Sequence, residues 1–301
     1  MTCWSVFCVY VYCSYALYAV GAPFYALFCW SILRGRGREP KLRSSFFTLC
    51  LFVALADLEA AIVNLLGSRP TFLAVPAFID FYTKWDQAPL KAAVLLTMQY
   101  TPSQCIGTLL LVVNRFTAIL YPTEYEEMWS RKVLVMCLVA QWLFPVTVFI
   151  GGMMPLSDPR LIVLPNTTTL ALVYNDEYTI WFGLANTVVV LICAFAGFVL
   201  YLIIACKVYR LKSSTQSMVA ELRLTGSGLI LYTEMMAYLT LDVVGGMGWT
   251  YFSNDLMNLS NPFVVAAFSA VIRKELTRFM GCGDKRNTNS AVNAVAVTKS
   301  K

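Results

Sequence analysis

The sequence predicts an all-α membrane protein, a bundle of seven transmembrane helices followed by a short amphipathic helix. Three observations predict this fold. Of the 301 residues, 58% are hydrophobic and only 13% are charged, against a charged share of about 25% in soluble domains. Seven apolar runs are long enough to cross a bilayer core, which takes about 20 residues per helix. The basic residues gather in the loops between alternate runs, as they do on the inner side of membrane proteins.

The predicted spans are separated by short polar loops. They cover about 4–33, 44–66, 91–120, 133–154, 178–206, 224–244 and 249–271. Basic residues follow the first span instead of preceding it, which distinguishes it from a signal peptide. Apolar residues at helical spacing predict a surface helix at 272–280, and these residues are Ile272, Leu276, Phe279 and Met280. The tail, 281–301, has no apolar period and is expected to be disordered.

The distribution of basic residues predicts the orientation. With these spans, 19 of the 23 Lys and Arg residues lie on one side of the membrane and four lie on the other. Because the basic side of a membrane protein faces the cytoplasm, we expect the N-terminus outside and the tail inside. The sequon at Asn166 falls on the outer side and is expected to carry a glycan. Cys282 follows the surface helix and is a palmitoylation candidate, with an unmodified thiol as the alternative.

The residue types present argue against several classes of site. The chain has no histidine, which removes the usual metal ligand and general base. Its ten cysteines form no CxxC pair and lie mostly in apolar runs, where small buried thiols are expected. We therefore expect no enzymatic activity, no metal and no cofactor. Since the basic residues flank apolar runs, the net charge of +6 reflects membrane topology and does not predict nucleic-acid binding.

One arginine lies at the boundary between span three and the following loop. The stretch 114–122 begins with Asn114-Arg115-Phe116 and ends at Pro122, which stops the helix. We interpret Arg115, with its two neighbours, as part of a switch at the inner end of the bundle. Glu221, at the inner end of span six, is the nearest candidate for a partner. Solvent or a bound protein is the alternative.

A buried acid is predicted near the middle of span two. Asp57 lies there among small alanines, and an ionisable group at this depth costs about 2.5–3.5 kcal/mol unless it has partners. Asn258, Asn261 and Pro262 of span seven are expected to lie beside it, with Asn64 one or two turns away. The cluster either fixes the register of the helices or forms an ion or proton site coupled to switching.

Polar residues in the outer half of spans three, six and seven are candidates for a pocket that opens outward. They are Met98, Gln99, Glu234, Tyr238, Asp242, Tyr251, Asn254 and Asp255. Such residues would bind a small ligand. Hydrogen bonding between helices explains the same pattern equally well.

Several short motifs, taken in order, resemble those of rhodopsin-like G-protein-coupled receptors. These are Val-Ala-Leu-Ala-Asp57-Leu in span two, Asn114-Arg115-Phe116 in span three and Asn261-Pro262 in span seven. The longer string Asn-Arg-Phe-Thr-Ala-Ile-Leu-Tyr-Pro at 114–122, with Tyr125 and Trp129, is similar to the nematode serpentine chemoreceptors of classes gamma, v, u and x. The motifs Pro-Phe-Tyr at 23–25 and Ser-Ser-Phe-Phe at 44–47 point to class v or gamma.

The resemblance implies a rhodopsin-like fold and a chemosensory receptor in the plasma membrane. In that family the membrane can be that of a sensory-neuron cilium. It implies a small ligand bound from outside and a heterotrimeric G protein engaged inside. The sequence departs from the wider pattern in having Asn114 in place of an acid and Val265 in place of the tyrosine of span seven. The alternative function is a transporter or channel that uses intramembrane carboxylates. Such a protein would carry an ionic current or a flux of substrate without a G protein.

Overall fold

The fold is known from a computed structural model that describes most of the chain. The described residues are 3–68, 80–81, 84–85, 88–147, 160–163, 170–173, 176–211, 226, 229–230, 232–233, 236–237 and 246–280. In chain order the helices are α1 (Cys3–Gly35), α2 (Ser45–Val63), α3 (Ala88–Leu120), α4 (Tyr125–Met128), α5 (Arg131–Pro145), α6 (Asp176–Leu211), α7 (Gly246–Phe268) and α8 (Ala270–Phe279). A 3-10 turn, Pro40–Arg43, precedes α2, and a π-helical turn, Asn64–Ser68, follows it.

Four helices within the described residues contain stretches long and apolar enough to cross a membrane. These stretches are Tyr12–Gly35, Ser45–Leu66, Gln99–Leu120 and Gly183–Lys207. The pair formed by α7 and α8 passes the same test but is bent by 99°. Apolar side chains point outward from these helices because lipid, unlike water, does not disfavour their exposure. In the hydrocarbon core no water can bond to the backbone, and an α-helix pairs its own N–H and C=O groups.

A short hairpin adds strand to the predicted all-α fold. Strand β1 (Arg160–Val163) pairs antiparallel with β2 (Leu170–Val173), so that Arg160 is opposite Val173. The hairpin lies in the loop predicted between spans four and five. The sequence does not predict it, because a run of three or four apolar residues has no periodicity that separates a strand from a helix.

Two buried clusters hold the bundle together. The first joins α1 and α2 with the C-terminal half of α7 and with α8, and it includes Phe28, Leu49, Val265 and Ile272. The second joins α3 and α6 through Cys105, Val112, Val190 and Ile204, with Tyr232 of span six against them. The helices therefore pack through side chains at matching depths, and α1, α2, α3 and α7 enclose the region where the polar residues lie.

The packing of α3 against α5 and α2 requires a glycine. A Cβ atom at Gly107 would lie 2.5 Å from the Nε2 atom of Gln141 and 2.7 Å from the Cγ2 atom of Val53. Both distances are far inside van der Waals contact, so the three helices meet here only because position 107 has no side chain.

The bend between α7 and α8 is at Ser269. Its side-chain oxygen accepts a hydrogen bond from the backbone N–H of Ile272 at 3.3 Å, which begins a new helix. Arg273 donates to the carbonyl oxygens of Ala266 and Ala267 at the end of α7. Span seven therefore ends at Phe268, three residues before its predicted end.

The apolar stripe predicted for the surface helix is divided between two environments. Ile272 and Leu276 are buried in the first cluster, whereas Phe279 and Met280 are exposed. Only the last two are therefore placed to face a membrane surface, and whether α8 lies on one stays a prediction. They pack into the bundle because the 99° bend carries the start of α8 directly beneath α1 and α2.

Candidate functional site

Asp57 is the centre of a buried polar network that links four helices. Its carboxylate is 4% exposed. It accepts hydrogen bonds from the hydroxyl of Tyr25 on α1 at 2.8 Å, from Nε2 of Gln104 on α3 at 2.7 Å and from Nδ2 of Asn261 on α7 at 3.0 Å. Three donors around one carboxylate offset much of the free energy lost on burying it.

Pro262 explains why Asn258 belongs to the same network. A proline has no N–H, so the carbonyl oxygen four residues earlier, that of Asn258, loses its partner within the helix. The Tyr25 hydroxyl lies 2.5 Å from this carbonyl oxygen. The side-chain oxygen of Asn258 accepts a second hydrogen bond from Nε2 of Gln104 at 2.8 Å. The helix break thus creates an acceptor, and α1 supplies a donor whose single hydroxyl proton is shared between this carbonyl and the Asp57 carboxylate.

The structure brings together the predicted cluster of Asp57, Asn258, Asn261 and Pro262, and it adds Tyr25 and Gln104. The sequence analysis singled out neither of these two as a partner. Gln104 carried a signal, since a glutamine inside a span needs a hydrogen-bond partner. For Tyr25 the signal was the unpaired carbonyl that Pro262 creates. Whether the network binds an ion or a proton stays a prediction.

A small cavity adjoins the network. Its volume is about 20 Å³, and it is lined by Val53, Asp57, Gln104, Cys105, Thr108, Met257 and Asn261. This volume accommodates about one water molecule. Two buried polar atoms at the network, Oε1 of Gln104 and Nδ2 of Asn258, have no hydrogen-bond partner within the described part of the chain. The site therefore suits a species of the size of water that can both donate and accept.

A second buried network lies nearer the N-terminal ends of α1 and α7, and we call it the outer network because this end is predicted to face outward. The carboxylate of Asp255 on α7 is completely buried and accepts hydrogen bonds from Ser14 and Tyr18 on α1, each at 2.6 Å. Nδ2 of Asn64 lies 3.4 Å from the Tyr18 hydroxyl, and the Tyr100 hydroxyl lies 3.4 Å from Oδ1 of Asn64. Asn64 thus contacts this outer network through Tyr18, whereas it was predicted as a partner of Asp57.

The outer network bears on the predicted ligand pocket. Asp255 bonds to α1, so a ligand could reach its carboxylate only by displacing Ser14 or Tyr18. Asn254 is also buried, and Gln99 is half-buried. Three candidates, Glu234, Tyr238 and Asp242, lie outside the described residues, and the side chains of Met98 and Tyr251 do too. The pocket stays a prediction.

At the other end of α3, Arg115 stacks on an aromatic ring. Its side chain is 6% exposed, and the guanidinium carbon lies 3.5 Å from the centroid of the Phe46 ring on α2. Such a cation–π contact stabilises by about 0.5–2 kcal/mol, more when it is shielded from water. Little of the side chain therefore meets solvent, which was one of the alternatives, and what holds Arg115 stays a prediction. Glu221, the other predicted partner within the chain, lies outside the described residues.

Asn114 ties α3 to α2 and to the loop that follows α3. Its Nδ2 atom donates to the Ser45 hydroxyl at 2.9 Å, and its Oδ1 atom accepts from the Tyr125 hydroxyl at 3.2 Å. The hydroxyls of Ser45 and Tyr125 lie 2.7 Å apart. A carboxylate at position 114 could only accept, whereas the amide both donates and accepts. Asparagine is therefore suited to this three-residue hydrogen-bonded ring.

The loop is fastened by two further contacts. Nε1 of Trp129 donates to the Thr117 hydroxyl at 2.8 Å. Phe116 meets Tyr121 edge to face, with ring centroids 6.4 Å apart. The residues that carried the resemblance, Tyr125 and Trp129, thus hold the short helix α4 against the end of α3.

Two predicted modification sites lie outside the described residues. They are Asn166, in the loop before span five, and Cys282, after α8. Within the described residues, no group of three or more His, Cys, Asp or Glu side chains could hold a metal ion.

Comparison with known proteins gives the family. The model of the serpentine type seven-transmembrane chemoreceptor family Srv matches residues 14–282. Serpentine receptor class V-1 of Caenorhabditis elegans is 26% identical over 311 residues, covering 94% of this chain and 96% of that protein. Serpentine receptor class gamma-14 of the same organism is 31% identical over 113 residues, covering 36% and 34% of the two chains.

These matches confirm two predictions. The resemblance to nematode serpentine chemoreceptors is confirmed, with class V represented along nearly the whole chain and class gamma over about a third. The predicted seven-transmembrane helix bundle is confirmed by the family match and by the apolar helices. The protein is therefore a multi-pass membrane protein, and it belongs to the Srv family of serpentine seven-transmembrane chemoreceptors.

Proposed function

We propose that this protein is a chemosensory receptor that binds a small ligand from outside the cell and activates a heterotrimeric G protein inside it. The observation that carries the proposal is the arrangement at the predicted inner end of α3. There Arg115 stacks on Phe46, and Asn114 joins α2 to α4 through Ser45 and Tyr125. These contacts connect the surface that a cytoplasmic protein would meet to helices that run the length of the bundle.

The proposed switch is a change in this set of contacts. Arg115 is buried here, so a G protein could contact its guanidinium only after Arg115 left Phe46. The contact stabilises by about 0.5–2 kcal/mol, which is small enough for a ligand or a partner to overcome. Asn114, Arg115 and Phe116 are the proposed switch residues, with Glu221 the proposed partner in the second state.

The two buried networks are the proposed route between the ends of the bundle. Asp57 joins α1, α2, α3 and α7 near the middle of the membrane, and Asp255 joins α1 and α7 further out. A ligand that moved α7 would change hydrogen bonds in both. The proposed ligand pocket lies toward the outer ends of spans three, six and seven, and the pocket residues are those predicted from the sequence.

The proposed orientation places the N-terminus outside the plasma membrane and the tail in the cytoplasm, as the basic residues indicate. It predicts a glycan on Asn166. Treatment of the expressed receptor with a glycosidase should increase its gel mobility. The untreated Asn166→Gln variant should migrate as fast as the treated receptor. Unchanged mobility, in cells that glycosylate a control receptor, would contradict use of this site.

The proposed function is tested by a ligand screen in cells with and without G proteins. The chain is expressed on the surface of both cell types, and a panel of small organic compounds is applied while second messengers and membrane current are recorded. A receptor gives second-messenger responses only where G proteins are present. A current or substrate flux that persists without G proteins would instead identify a channel or transporter, and the proposal would be wrong.

A further inference from the structure

Exposed basic side chains surround the loop between α1 and α2. The residues 34–43 and the helix α8 together contain eight basic and two acidic residues. Four of the basic side chains are exposed on the loop, and we call them the loop patch: Arg34, Arg38, Lys41 and Arg43. One face at this end of the bundle is therefore strongly positive.

The backbone of the loop is fixed by its own hydrogen bonds. The N–H groups of Arg38 and Glu39 donate to the Gly35 carbonyl oxygen at 2.9 and 2.8 Å, and the N–H of Leu42 donates to the Glu39 carbonyl oxygen at 3.0 Å. The Leu42 side chain is fully buried in the first cluster. The loop patch is thus presented on a folded turn, so that binding a ligand there would not need to order the chain first.

The two acidic residues nearby are directed to α8 and not to the loop patch. Glu39 lies 3.0 Å from Nζ of Lys274 and 3.8 Å from Arg278, and Glu275 pairs with Arg278. The hydrogen bond from Lys274 lowers the pKa of Glu39, so this carboxylate is ionised at neutral pH. Within the described part of the chain, Arg34, Arg38 and Lys41 form no salt bridge, although Lys41 is near enough to Glu39 to help lower its pKa. Their charges remain available to an external anion.

Apolar side chains on either side place the loop patch at the membrane surface. Trp30 and Leu33, in the last turn of α1, are exposed immediately before Arg34. Phe279 and Met280 are exposed at the end of α8. Tryptophan is enriched at the level of the lipid headgroups, and the apolar residues on both sides need acyl chains around them. The four cations therefore lie at headgroup depth.

We propose that the loop patch binds the headgroup of an anionic phospholipid. Clustered Lys and Arg residues next to a transmembrane helix each contribute about 1 kcal/mol to attraction toward an anionic leaflet. Three of the four are arginines, whose planar guanidinium groups match the oxygens of a phosphate. The lipid lies in whichever leaflet surrounds this end of the bundle, which is the cytoplasmic leaflet in the proposed orientation.

The test uses the purified full chain in detergent, where neither orientation nor G-protein coupling matters. Short-chain phosphatidylserine and phosphatidylcholine are titrated separately, and bound lipid is counted by native mass spectrometry. Arg34→Gln/Arg38→Gln/Lys41→Gln should weaken phosphatidylserine binding by about 100-fold, and Lys41→Gln alone by about fivefold. Phosphatidylcholine binding should be weaker and unchanged by either variant.

A matched control removes three exposed cations from other positions at the same end of the bundle. Arg131→Gln/Lys132→Gln/Lys207→Gln changes the net charge equally, and all three side chains are exposed. This variant should bind phosphatidylserine as the unmodified chain does. An equal loss in both triple variants would show a general effect of charge and overturn the proposed site, as would unchanged binding in the loop-patch variants. A ligand screen without a G-protein response would leave this result unaffected.

Discussion

The guanidinium group of Arg115 on α3 lies over the ring of Phe46 on α2, with its central carbon 3.5 Å from the ring centroid. The residue before Arg115 is an asparagine, and an acid that would form an ion pair with the arginine is absent at that position. An aromatic ring from a neighbouring helix packs against the arginine instead. A cation–π contact has no strict requirement for a hydrogen-bond angle, so separating Arg115 from Phe46 breaks no directed bond between these two residues.

Phe46→Leu should raise the activity of the receptor in the absence of ligand. Leucine keeps an apolar side chain at position 46 but removes the contact with Arg115, which is worth about 0.5–2 kcal/mol. The balance between restrained and released arginine should shift about 2-fold to 30-fold. Basal nucleotide exchange on a G protein, normalised to surface expression, measures the shift. The control is Phe47→Leu, which removes a neighbouring buried ring. Equal effects of the two substitutions would contradict a specific role for Phe46.

Tyr25→Phe should destabilise the folded bundle. It removes the hydroxyl that meets the Asn258 carbonyl and the Asp57 carboxylate, and a buried acceptor left without a donor costs about 1–3 kcal/mol. Fluorescence-monitored thermal unfolding of the purified protein should show a lower midpoint. Tyr12→Phe makes the same chemical change at an exposed position on the same helix and should leave the midpoint unchanged. If both variants unfolded at the same temperature, the hydrogen bonds of Tyr25 would not contribute to stability.

Two replacements of Asp57 should separate the contribution of its acceptor oxygens to stability from that of its negative charge. Asp57→Ala leaves the donors of Tyr25, Gln104 and Asn261 without this partner. It should lower the free energy of unfolding by about 3 kcal/mol, about 1 kcal/mol for each donor. Asp57→Asn keeps the shape and one acceptor oxygen, so its loss should be smaller. Thermal unfolding in the same detergent ranks the variants. An alanine variant as stable as the asparagine variant would show that the network does not depend on these hydrogen bonds.

Gly107→Ala should destabilise the packing of α2, α3 and α5. The added Cβ would lie 2.5 Å from Nε2 of Gln141 and 2.7 Å from Val53, and overpacking of this kind costs about 1–3 kcal/mol. Gly183→Ala is the control because no atom lies within 4 Å of its added Cβ. Alanine favours a helix over glycine, so the control should keep or raise the unfolding midpoint. A Gly107→Ala midpoint equal to that of the control would contradict the close approach.

The sequence was sufficient for the fold and for the centre of the site because both depend on which residues lie in the membrane. A carboxylate within an apolar span must have polar partners, and Asn258 and Asn261 were the asparagines of span seven at a suitable depth. The contact of Asn261 with Asp57, and a place for Asn258 in the same network, could thus be expected before the structure was known. The same argument predicted that seven apolar runs would span the bilayer.

The other contacts of the site, and the end of span seven, depend on how each helix is rotated about its axis and on where it is interrupted. Residue types do not specify either. Tyr25 and Phe46 appear in the sequence as ordinary members of aromatic motifs, and only the packing of α1 and α2 turns one to Asp57 and the other to Arg115. The partner of Asp255 on α1 was missed for the same reason. Ser269 ends span seven early because its hydroxyl caps α8, a local hydrogen bond that apolar periodicity does not reveal.

The proposed switch is tested most directly by G-protein nucleotide exchange catalysed by Arg115→Ala. The full chain and the variant are reconstituted at equal amounts with purified heterotrimeric G protein, and exchange is measured with and without an active compound from the ligand screen. Compound binding, measured separately, should be retained by the variant because Arg115 lies at the opposite end of α3 from the proposed pocket. Arg115→Ala should lose compound-stimulated exchange while compound binding stays intact. Full stimulated exchange by the variant would contradict the proposed switch.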